Sequence, residues 1–122
     1  AALGRHRRAG RPMPTAFLTA NEENAIGTVR ALQSAGLRVP GDVSIISFND
    51  TPLSALVDPP LTSISTHVQE MGRIAVQLAA ERMPRTGFRR ELPVKVILPP
   101  TLVLRGSAAA LPGTHESQAE IR

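Results

Sequence analysis

The sequence predicts an α/β fold built on a parallel sheet with flanking helices, and three observations carry that reading. The short apolar run TAFLTA (15–20) is followed by a helical pattern and then by the apolar run DVSIISF (42–48), all within 34 residues. That is the span of a strand–helix–strand unit, whose crossover should be right-handed. The second run is apolar on both faces, as expected of a strand covered on both sides. Prolines and glycines then punctuate the runs where elements should end.

Taken in order, residues 1–14 are basic, contain Gly4 and Gly10, and lack a clear period. They read as a frayed lead-in to something that began earlier. The first strand candidate, 15–20, is bounded by Pro14 and Asn21. Asn21 is a good N-cap for the helix that follows, and Glu22 and Glu23 place negative charge at the positive end of its dipole. Ala25, Ile26, Val29 and Leu32 recur at helical spacing and predict an ordinary core face. Gly36 suits the left-handed position after the last turn, with Leu37 packing behind it and Pro40 preventing continuation.

The segment TPLSALVDPP (51–60) reads as a proline-bounded loop and LTSIS (61–65) as a third strand. THVQ (66–69) fits a capping box, with Thr66 as N-cap and Gln69 reaching back. The helix then runs to about Arg82 with Met71, Ile74, Ala75 and Leu78 on one face; Gly72 within it predicts close packing. PVKVIL (93–98) and TLVLR (101–105) are strand-like, separated by Pro99 and Pro100. Residues 108–122 are small, polar and aperiodic, and predict a mobile tail.

Composition narrows the function. A chain of 122 residues with 42% hydrophobic content and mean hydropathy −0.03 can build one modest core, and none of its apolar runs is long enough to span a bilayer. With no cysteine, thiolate and disulfide chemistry are excluded. The net charge of +4 resides in arginines of RHRRAGR (5–11) and RMPRTGFRR (82–90). These segments are poor in aromatics and carry no nucleic-acid motif, so they read as solvated surface rather than a phosphate-binding patch.

No catalytic pattern is present. His6, His67 and His115 lack metal-ligand spacing, and there is no nucleophile elbow, phosphate loop or dinucleotide fingerprint. The chain is therefore expected to be neither an enzyme nor a holder of metal or cofactor. What remains is polar chemistry at strand ends: Asn21 after the first strand, Asn49 and Asp50 after the second. Ligands of open parallel sheets bind outside the carboxyl ends of the strands. Carboxamides and carboxylates there suit a polyhydroxylated ligand, because each can bridge neighbouring hydroxyls. Asn21 could equally serve only as a cap, and Asp50 with Thr51 and Pro52 could simply form a turn. Asn49 has no capping duty downstream, which favours ligand contact.

The stretch PTAFLTANEENAIGTVRALQSAGLRVPGDVSIISFNDTPLSALVDPPLTSIS, continued by MGRIAVQLAAER and LPVKVILPPTLVLRGS, resembles the C-terminal core of the lac-repressor/galactose-repressor (LacI/GalR) family of transcription regulators. The likeness covers about residues 14–107. It implies a periplasmic-binding-protein-like fold, of which this chain is about the last third of a two-subdomain core. By that likeness residues 15–63 belong to the C-terminal subdomain and 66–98 to the N-terminal one, with a return to the first at 101–107. Family effector contacts carry over to Asn21 and Asn49, with Asp50 beside them, and to Thr66, His67 and Val68. Two departures matter: Asn49 stands where many members have aspartate, and Val68 where an aromatic often stacks on the sugar.

The resemblance further implies a mono- or oligosaccharide effector and a homodimer, with residues 22–35 and 51–58 helping to form its interface. It implies a cytoplasmic location, no membrane, and DNA contact only through an N-terminal helix-turn-helix domain that the sequence as given lacks. The alternatives are a sugar-binding solute receptor of a transporter, or a truncated remnant without function.

Overall fold

The structure is a computed structural model that describes residues 13–83 and 92–110. The lead-in up to residue 12, the arginines at 85–90 and the tail beyond 110 lie outside the described residues. Four strands form one sheet in the order β1 (Ala16–Leu18), β2 (Ser44–Phe48), β3 (Thr62–Ser65), β4 (Thr101–Val103). The first three run parallel, with Phe17 opposite Ile45 and Ser47 opposite Ser63; β4 runs antiparallel to β3, with Leu102 opposite Ile64. The sheet is therefore mixed, because its last strand returns across the edge.

Helix α1 (Glu22–Ser34) joins β1 to β2 and forms as its caps dictate. Asn21 Oδ1 accepts the Asn24 N–H at 2.9 Å, and Gly36 takes the left-handed conformation at φ 76° that ends the helix. Ala25, Val29 and Leu32 of α1 are fully buried against Val43, Ile45 and Leu61. Phe17, Ile26, Leu37, Val39 and Val57 pack around that cluster. The expected core face of this helix is thus the observed one.

β2 is not covered equally on its two faces. Val43, Ile45 and Ser47 are buried, whereas Ser44, Ile46 and Phe48 are only half-buried. The apolar pattern of the strand is adapted to two covers, and among the described residues α1 supplies one. The loop read at 51–60 contains a single helical turn, α2 (Leu53–Leu56), following Pro52. Proline's fixed φ is compatible with helix initiation, which a reading of prolines only as terminators overlooks.

Helix α3 (Val68–Arg82) follows β3, but not through the expected capping box. The flanking residue is His67, in the left-handed region at φ 52° and without a side-chain cap; the Thr66 hydroxyl turns instead to Asn49. None of the α3 residues is buried. A Cβ at Gly72 would meet nothing within 4 Å, so the close packing expected there is not found among the described residues. Met71, Ile74, Ala75 and Leu78 face Val96 and Leu98 across a hollow of about 210 Å³. The stretch 92–100 carries no strand pairing, contrary to the strand-like reading of 93–98. β1 and β4 each leave an outer edge of the sheet free, and 92–100 pairs with neither among the described residues.

After β4 the chain reaches the start of β2 and β3. Ser107 is buried: its Oγ donates to Ile45 O at 2.6 Å and accepts from Thr62 N at 2.8 Å, while its carbonyl accepts from Ile45 N at 2.7 Å. These bonds tie the amino-terminal ends of β2 and β3 together and leave the carboxyl-terminal ends to form the site.

Candidate functional site

Beyond Phe48 the ladder continues for one bond, from Asn49 N to Ile64 O at 2.9 Å. The backbone then turns through two successive left-handed residues, Asn49 (φ 88°) and Asp50 (φ 54°). His67, at the corresponding place after β3, is the third non-glycine residue with positive φ among the described residues. Such conformations cost of order 1–3 kcal/mol each and persist where the surroundings hold them, often at functional sites. Asn, Asp and His are among the side chains that tolerate them best. Among the described residues, the strained ones thus gather at one edge of the sheet.

That edge carries an open cleft of about 680 Å³. Asn49, Asp50, His67 and Val68 line it, together with Thr51, Gln69, Glu70, Arg73 and Arg105. Thr66 stands immediately behind, its Oγ1 3.5 Å from Asn49 Oδ1. Asn21 is not among the lining residues; its carboxamide oxygen is engaged in capping α1. The structure therefore brings together five of the six sequence-derived residues around the cleft and leaves Asn21 in its helical role.

Charge in the cleft is balanced in pairs. Arg105 Nη1 donates to Asp50 Oδ1 at 2.7 Å and to Leu61 O at 2.8 Å, with both side chains largely sequestered from solvent. One carboxylate oxygen of Asp50 is thereby committed within the protein. At the rim, Arg73 Nε donates to Glu70 Oε2 at 2.9 Å, and that hydrogen bond holds the Glu70 carboxyl below its usual range. His67 Nε2 lies 3.4 Å from Thr101 Oγ1, so the left-handed residue also touches the start of β4. The Thr51 hydroxyl is buried with no hydrogen-bond partner among the described residues. Paired ions and free amide and hydroxyl groups can recognise an uncharged, hydroxyl-rich molecule, whereas the lining offers no large aromatic face for stacking.

Sequence reasoning did not single out Arg105, Ser63 or the cleft role of Thr51. Arg105 gave one faint signal, a cation closing the apolar run TLVL. Glu22 was read only as a helix-dipole charge, yet it is 3% exposed, and its Oε1 accepts from Thr51 N at 3.2 Å and Ser54 Oγ at 3.0 Å.

Comparison with known proteins gives the fold a context. Residues 1–108 match the family described as periplasmic binding protein-like domain. The chain is 40% identical over 100 residues to the HTH-type transcriptional regulator GalR of Streptococcus thermophilus, covering 82% of this chain and 29% of that one. It is 38% identical over 95 residues to the lactose operon repressor of Rhizobium radiobacter, covering 78% of this chain and 80% of that one. Among solved structures, the transcriptional regulator CelR in complex with cellobiose superposes with a TM-score of 0.69 at 28% identity, covering 77% of this chain and 28% of that one.

Proposed function

We propose, from the premise that this chain belongs to the LacI/GalR family of periplasmic-binding-protein-like transcription regulators, that it forms the effector-binding and dimerisation part of a sugar-responsive regulator. One observation carries the reading: Asn49, Asp50 and His67, the left-handed non-glycine residues, converge on one cleft at the carboxyl ends of the parallel strands. That is where open α/β sheets bind ligands. A relative whose name couples it to the lactose operon and a structural neighbour holding cellobiose support a saccharide as the ligand.

In this reading Asn49 offers a carboxamide donor and acceptor to sugar hydroxyls, and Thr66 orients it through Oδ1. His67 and Val68 form the facing wall, and Asp50 acts mainly through Arg105, which fixes the turn. Asn21 belongs to the site only if its amide nitrogen turns toward the ligand while its oxygen caps α1. Residues 15–63 and 101–107 act as one subdomain and 66–98 as part of the other, so closure over a sugar would shift their relative orientation. Coupling to DNA then requires a ligand that distinguishes the two orientations, and a DNA-reading domain joined to this core. Two such cores pair as a homodimer. The setting is the cytoplasm, and no described helix is long and apolar enough to cross a membrane.

Titration calorimetry of the chain with galactose, lactose and cellobiose tests the reading. We expect saturable heat with at least one of them. Asn49→Gly, which suits the φ of 88° but removes the amide, should weaken that binding about tenfold, the equivalent of one good hydrogen bond. Unchanged binding by this variant would remove Asn49 from the site.

A further inference from the structure

We infer that Glu22 is a positioning residue for the cleft, a buried brace that holds the Asn49–Asp50–Thr51 turn in its binding geometry. This rests on the sugar-binding reading above but makes a claim that can fail separately. Glu22 is 3% exposed in the first turn of α1, and its Oε1 gathers donors from a turn, a helix and a strand. Thr51 N–H reaches it at 3.2 Å from the turn, Ser54 Oγ at 3.0 Å from α2, and Ser63 Oγ at 3.4 Å from β3. Ser63 Oγ is at the same time the acceptor for Asp50 N–H at 3.2 Å. One hydroxyl proton given to Glu22 leaves the lone pairs of Ser63 free for Asp50, so the chain of bonds is chemically consistent.

A carboxylate removed from water is costly unless charge-assisted hydrogen bonds replace its hydration. Here the replacing donors include the amide of Thr51 and, through Ser63, that of Asp50. Those are the residues flanking and forming the left-handed turn, a conformation that its surroundings must impose. Helix dipole compensation needs only a charge near the first turn and does not require burial. Burial together with three converging donors gives Glu22 a second duty. It joins the helix that follows Asn21 to the turn that carries Asn49.

The test compares the 122-residue chain with Glu22→Ala, Glu22→Gln and Ser63→Ala. Amide hydrogen exchange is read at Asp50 and Thr51 against the core amides of Leu32 and Ile45, and lactose is titrated as the probe. Glu22→Ala should speed exchange of the Thr51 amide at least about tenfold relative to the core amides, while Glu22→Gln, which keeps an acceptor oxygen, stays within about threefold of the parent. Lactose affinity should fall with the alanine variant and be rescued by glutamine. Should Glu22→Ala not fold, Ser63→Ala reads the same path through the Asp50 amide. Turn amides that change only in step with the core, or a glutamine variant as loose as alanine, would reduce Glu22 to a structural residue and overturn the inference. A parent chain that binds none of lactose, galactose and cellobiose would count against the binding reading, while the exchange comparison would still decide the brace.

Discussion

At Asn49, backbone and side chain make separable demands. A φ of 88° penalises any residue with a Cβ, whereas glycine adopts it freely. Asn49→Ala should therefore melt with about 1 kcal/mol less stability than Asn49→Gly in thermal unfolding. Equal stabilities would show that the turn relaxes and stores no strain. A second residue-level expectation concerns Asp42. Its carboxylate accepts Arg38 Nε at 3.0 Å and the Arg38 backbone N–H at 2.8 Å, which hold its pKa down at about 2. A depressed folded pKa means that this contribution is present above the unfolded value of about 4 and lost as pH falls through about 2. Asp42→Asn should flatten the fall in melting temperature across that window, and an unchanged profile would contradict the pairing. The place of Asn49 at the strand end beside the cleft was legible from sequence because it follows a recognisable strand. Arg105 was not, since its partner Asp50 lies 55 residues away and only the return of β4 brings them together.

Elements obeyed local rules where tertiary context left them alone. The Asn21 cap formed as its chemistry dictates, and Asn21→Ala should cost about 1 kcal/mol in the same melts. The capping box at Thr66 failed because its hydroxyl is drawn to Asn49 and His67 inserts a left-handed residue before α3. A motif read along the chain cannot register a competitor arriving from another strand. Gly72 shows the reverse: open space around it means that Gly72→Ala should stabilise α3 by about 1 kcal/mol through helix propensity. A loss of stability would reveal a neighbour packed on that position in solution. The strand pattern of 93–98 was legible, but strand formation needs a partner edge, which periodicity alone does not provide.

Across the whole molecule, apolar surface is distributed as in a protein meant to be covered. Leu18, Leu56, Val76, Ile97 and Leu104 are each at least 64% exposed, and one face of β2 is half-covered. Apolar side chains left in water favour association, which removes them from it. Sedimentation of the chain at micromolar concentration should therefore show species larger than a monomer, and a monodisperse monomer would contradict this. The sheet and the α1 core were legible because their periodicity is strong and their connection short. The most direct test of the central claim is a ligand titration followed residue by residue in amide NMR spectra with galactose, lactose and cellobiose. Saturable shifts centred on Asn49, Asp50, Thr66, His67 and Val68 are the predicted result. Shifts absent for all three sugars, or confined to residues away from the cleft, would contradict it.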